Sequence, residues 1–180
     1  MIEVICGPMF SGKTEELIRR VKRVALAEQR YVVVKPKIKS RNKNEESGIS
    51  THDESNAIHA ISISESELVE TTKDFNVVAI DEVQFFDEDI YIQIQALSDA
   101  GKRIIISGLD MDFSRTPFKA MSNLLCIADK VLKLKSVCMA CKENASYSKR
   151  IAKSDKLVSI GGKESYQALC KKCYKKEDKQ

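Results

Sequence analysis

Three groups of residues in this 180-residue chain have the types and spacing needed for chemistry. Gly7-Pro8-Met9-Phe10-Ser11-Gly12-Lys13-Thr14 fits G-x-x-x-x-G-K-[ST]. Such a loop turns backbone N–H groups toward phosphates at a helix N-terminus. Lys13 would then reach the β- and γ-phosphates, and the Thr14 hydroxyl would ligate Mg²⁺. Asp81-Glu82 closes the apolar run Val77–Ile80. A carboxylate there suits the Mg²⁺ shell, and an adjacent one can take the proton of an alcohol or water that attacks the γ-phosphate. Cys138-x-x-Cys141 and Cys170-x-x-Cys173 form the third group. Four thiolates so paired close a tetrahedral zinc site of the structural kind, with no open position.

The elements around these groups are readable from hydrophobic patterning. Ile2–Cys6 is a short apolar run that ends at Gly7, as a buried strand entering a tight turn does. From Thr14 to about Gln29, Leu17, Ile18, Val21, Val24 and Ala25 recur at helical spacing. Tyr31–Val34, Val77–Ile80 and Arg103–Ser107 read as further strands, with a helix from about Glu88 to Ala100 that stops at Gly101. Continuous apolar strands alternating with helices predict an α/β domain: a parallel sheet covered by helices, spanning residues 1–134. Residues 135–180, with the Cys pairs, form a small second unit. The 28 residues between Cys141 and Cys170 exceed the roughly 15–20 of a compact zinc ribbon, so they contain an insertion. The polar stretch Lys35–Ser50 reads as a long, mobile loop.

Composition narrows the class. With 43% hydrophobic and 31% charged residues the chain is globular, and no apolar run approaches the roughly 18 residues of a membrane span. Met1-Ile2-Glu3 has no basic segment ahead of an apolar stretch, so a reduced, cytoplasmic setting is expected, with the cysteines as metal ligands or buried thiols. Of 30 basic and 26 acidic residues, five Lys, Glu177 and Asp178 fall in the last eleven, leaving 25 against 24 elsewhere. A nearly neutral body speaks against tight nucleic-acid binding.

Beyond these readings, the chain resembles the type II thymidine kinases, the zinc-containing class. The resemblance rests on Gly7–Thr14, on Ile80-Asp81-Glu82-Val83-Gln84-Phe85-Phe86, and on Gly108-Leu109-Asp110 with Phe113 and Pro117-Phe118. The Cys pairs and Ile160-Gly161-Gly162 ahead of Tyr166 complete it. It implies a RecA-like P-loop domain and a zinc domain carrying a lasso loop, about Lys149–Lys163, that closes over a nucleoside. It implies Glu82 as the base for the deoxyribose 5′-hydroxyl. MgATP would be held by the phosphate loop, Asp81 and Gln84. The pocket for the nucleoside would be formed by Met9, Phe85, Leu109, Phe113, Phe118, Ser148 and Tyr166, with Leu157, Ser159, Ile160 and Gly161. Thymidine and deoxyuridine as acceptors, a homotetramer and feedback inhibition by dTTP follow from the same resemblance. The family commonly has an acidic residue two before Arg41, where this chain has Lys39.

A different class would also use a phosphate loop and a zinc ribbon: a nucleic-acid-dependent ATPase, with Glu82 activating water. Its mark would be ATP turnover that rises with added nucleic acid.

Overall fold

The computed structural model describes residues 1–38, 48–50, 57–151 and 164–177. Six strands form one parallel sheet in the order β5-β2-β6-β7-β1-β8. They are β1 (Ile2–Cys6), β2 (Tyr31–Pro36), β5 (Ile61–Ile63), β6 (Val77–Ile80), β7 (Arg103–Gly108) and β8 (Lys130–Lys133). The helices are α1 (Lys13–Leu26), α2 (Leu68–Thr72), α3 (Ile90–Asp99), α4 (Lys119–Ile127) and α5 (Lys171–Glu177).

Successive strand residues point to opposite faces, so each buried strand feeds two cores. Ile5, Val33, Ala79 and Ile105 face α1, which contributes Leu17, Ile18, Val21 and Val24. Burying those four helix side chains stabilises the domain by about 1.5–3 kcal/mol each. Val4, Val34, Ile80 and Ile106 face the other way, onto Ile90 and Ile94 of α3 and Met121 and Leu124 of α4. The polar Glu3 is buried within β1 because Arg20 and Arg103 meet its carboxylate at 2.7 and 2.8 Å.

Beyond β8 the chain builds a smaller body from two antiparallel pairs. β9 (Ser136–Val137) pairs with β10 (Asn144–Ala145), and β11 (Tyr147–Arg150) pairs with β12 (Tyr166–Leu169). Its core gathers Cys138, Ala145, Ala168, Leu169 and Tyr174, and Phe10 of the phosphate loop packs against it.

The structure narrows the expected Lys35–Ser50 loop. β2 continues through Pro36, and β3 (Gly48–Ser50) pairs antiparallel with β4 (Ala57–His59). Lys39 lies outside the described residues. Among the described residues, no helix is long and apolar enough to cross a membrane. Cys6 is buried as its apolar neighbours suggest, whereas Cys126 is exposed on α4.

Candidate active site

Because all six strands are parallel, the loops after β1, β6 and β7 emerge at one edge of the sheet, and β7 lies between the other two. That edge collects the chemistry. The phosphate loop leaves β1 at Gly7, whose φ of 148° disfavours a side chain, and a Cβ there would stand 2.5 Å from the Leu134 carbonyl oxygen. Gly12, at φ 81°, precedes α1 in the left-handed region, and Phe10 adopts φ 62°. Lys13 arches back so that its Nζ donates to the Pro8 carbonyl oxygen at 2.8 Å. Burial pushes its ammonium pKa down, against the pull of Glu82, Asp81 and Asp110. A buried ammonium at a phosphate loop suits an anionic phosphate.

Asp81 directly follows β6, and the Thr14 hydroxyl donates to its Oδ2 at 3.2 Å. Its Oδ1 accepts from the Ser107 hydroxyl of β7 and from the Glu82 N–H. Burial above all, and then the charge of Glu82, pushes the Asp81 carboxyl up to about 6, although Ser107, the Glu82 N–H and Lys13 oppose it. A buried carboxylate beside a loop hydroxyl, made costly by its surroundings, is a donor set that fits a divalent cation.

Glu82 follows at φ 56°, a conformation that costs a non-glycine residue about 1–3 kcal/mol. Gln84 donates from Nε2 to Glu82 Oε2 at 2.6 Å. Its Oε1 accepts the Leu109 N–H at 3.0 Å.

The side chains expected in a nucleoside pocket are brought together in three small groups. Ser148 accepts the Met9 N–H at 2.9 Å. Phe85 and Phe118 meet edge to face at 6.5 Å. Phe113 lies beneath the Arg150 guanidinium at 3.8 Å, and Arg150 donates to the Tyr166 hydroxyl at 3.0 Å. Leu157, Ser159, Ile160 and Gly161 lie outside the described residues, as does most of the expected lasso, whose first residues, Lys149 and Arg150, belong to β11.

The four Cys Sγ atoms lie within 4.8 Å of one another, and Cys141 and Cys170 approach to 3.6 Å. A zinc tetrahedron with Zn–S bonds of about 2.3 Å has an S···S edge of about 3.8 Å, so the cluster fits a four-thiolate metal site. Burial pushes the Cys138 thiol up, but the backbone N–H groups of Cys141, Cys170 and Ala140 outweigh it and bring the thiol down to about 6. The neighbouring sulfurs instead push Cys141 up and Cys173 up to about 12, so the crowded sulfurs carry their full charge best with a cation between them.

Four contributors escaped the sequence reading. Ser107 anchors Asp81. Ser136 donates to the Phe10 carbonyl oxygen at 2.9 Å, the Tyr174 hydroxyl donates to the Phe113 carbonyl oxygen, and Arg150 joins Phe113 to Tyr166. Each acts through a contact between distant chain positions, which local spacing does not encode.

A parallel sheet with a phosphate loop, an Asp-Glu pair and a four-cysteine module at one edge defines a phosphate-loop nucleotide-binding protein with an appendage whose four cysteines could hold a metal. The family model described as thymidine kinase matches residues 1–174. The thymidine kinase of Bacteroides fragilis is 46% identical over 176 residues, covering 97% of this chain and 87% of that protein. Those of Bacteroides thetaiotaomicron and Mycoplasma mobile are each 44% identical, over 173 and 180 residues, with 96% and 100% of this chain covered and 86% and 90% of theirs. The chain belongs to the thymidine kinase family, in its type II, bacterial form.

Proposed function

We propose that the protein transfers the γ-phosphoryl group of ATP to the 5′-hydroxyl of thymidine, giving thymidine monophosphate and ADP, with deoxyuridine as a second acceptor. The observation that carries this is the joint placement of Lys13, Asp81 and Glu82 at one sheet edge, in a chain matched along its length to thymidine kinases. The loop N–H groups and Lys13 hold the phosphates. Thr14 and Asp81 would hold Mg²⁺, which when bound neutralises phosphate charge. Glu82 accepts the 5′-hydroxyl proton as that oxygen attacks the γ-phosphorus.

The acceptor lies against Met9, Phe85, Leu109, Phe113, Phe118, Ser148 and Tyr166. A site that excludes water leaves the bound hydroxyl as the nucleophile. Residues 1–134 are the ATP-binding unit, and residues 135–180 are the zinc and lasso unit. The four thiolates take zinc in a structural role. A cytoplasmic homotetramer, inhibited by dTTP spanning the donor and acceptor sites, completes the reading.

The test is ATP consumption with Mg²⁺ in the presence of thymidine, deoxycytidine, single-stranded DNA or no acceptor, with products separated by chromatography. Thymidine monophosphate formed only in the thymidine arm is the expected result. ATP turnover raised by DNA alone would overturn the assignment.

A further inference from the structure

Gln84 stands two residues beyond Glu82 in a short turn, Val83–Phe85, and is 5% exposed. Its two amide ends have different obligations. The Leu109 backbone N–H can only donate, so Oε1 must face it, at 3.0 Å. The NH₂ end therefore faces Glu82, and Nε2 lies 2.6 Å from Oε2. The amide cannot turn over without leaving an N–H facing an N–H. Space around it is also closed, since a Cβ on Gly108 would lie 2.5 Å from Gln84 Oε1.

We propose that Gln84 is a positioning residue that sets the Glu82 carboxylate relative to the acceptor. It does so by capping one carboxylate oxygen and tying it to the start of the 109–118 loop, leaving the other oxygen to take the proton. The inference rests on Glu82 being the base and adds how that base is aimed. Leu109 opens the loop that carries Phe113 and Phe118, so the amide makes the base and the nucleoside-side loop share one reference point. A base held in a strained left-handed conformation needs such an anchor, because a displacement of about 1 Å can cost about 10²-fold in rate. The effect belongs to the chemical step and to kcat, since the amide joins the base to the loop that carries Phe113 and Phe118.

The test is a double-mutant cycle on kcat with Gln84→Met, which keeps length and loses both hydrogen bonds, in the wild-type and Glu82→Gln backgrounds. Gln84→Glu keeps the amide's shape and sets a like charge against Glu82, so it repeats the cycle without a packing change. Folding is followed by thermal melting and by ATP binding. The expected result is a kcat lower by about 10²-fold with little change in the KM for ATP, and no further loss in the Glu82→Gln background. Equal losses in both backgrounds, or none in either, would overturn the role of Gln84 while leaving Glu82 as the base. A Glu82→Gln enzyme with full kcat would instead overturn the base and this inference with it.

Discussion

Glu82 carries the sharpest residue-scale prediction, because it is half-buried, left-handed and within electrostatic reach of Lys13. Glu82→Gln is expected to bind ATP and thymidine normally and to lose about 10²–10⁴ in kcat, the range of general-base catalysis. Unchanged turnover with normal binding would remove it from the mechanism. Gly108→Ala tests the packing behind it: the new Cβ would meet Gln84 Oε1 at 2.5 Å and Met121 Cε at 2.8 Å. Both are ends of flexible side chains, so the protein should fold with a modestly lower Tm while kcat falls more steeply, as Gln84 is displaced. A variant that loses stability and kcat in proportion would contradict this. At this scale the sequence was most legible where function sits in contiguous residues. Gly7–Thr14 and Asp81-Glu82 announce themselves because phosphate chemistry needs their spacing within one turn. Gln84 was legible only as part of a motif; its hydrogen bond to Leu109, 25 positions away, joins two segments that the motif does not connect. Ser107 and Ser136 gave no signal, since their partners are 26 and 126 positions away.

Among the elements, the central strands β1, β2, β6 and β7 were readable because burial on both faces demands unbroken apolar runs. The edges were not. β8, Lys130-Val131-Leu132-Lys133, is exposed throughout, and β5 is a three-residue strand with one buried side chain, so neither carries that imprint. Glu3 is the exception inside β1, an acid in an apolar strand that patterning cannot explain until Arg20 of α1 and Arg103 of β7 are brought to it. This joint ties helix to sheet and has a definite pH signature. Burial raises the Glu3 carboxyl pKa, but the hydrogen bond and charge of Arg103, and then Arg20, more than offset it and hold it below 4.5 in the folded protein. The unfolded chain therefore binds the proton first as pH falls, and the stability Glu3 contributes is present above about 4.5 and lost as pH drops through its lower folded value. Glu3→Gln should lower Tm at pH 7, where it leaves two arginines without their carboxylate. The gap from wild type should close as the pH falls below 4. Parallel melting curves across pH, with a constant gap, would show that the carboxylate charge is not what matters.

In the whole molecule, the cysteine module does more than decorate the sheet. Ser136 of β9 and Ser148 of β11 hold the Phe10 carbonyl and the Met9 N–H at the crest of the phosphate loop. Tyr174, next to Cys173, holds the Phe113 carbonyl, with Arg115 stacked over its ring at 4.8 Å. The module's own core is small, built around Cys138, Ala145, Ala168, Leu169 and Tyr174. A core of that size does not fold alone, whereas zinc bound by thiolates supplies about 10–16 kcal/mol toward folding. The sheet has its own cores on both faces. Stripping zinc with a chelator should therefore leave most of the sheet's far-ultraviolet circular dichroism. It should also raise the KM for ATP and thymidine together, because the module steadies both the phosphate loop and Phe113. Ser136→Ala isolates one limb of this clamp and should raise the KM for ATP several-fold with zinc content unchanged, since it removes a hydrogen bond of about 0.5–1.5 kcal/mol. Elemental analysis showing one zinc per chain before treatment and none after, with both KM values unmoved, would mean that the phosphate loop holds its shape without the module.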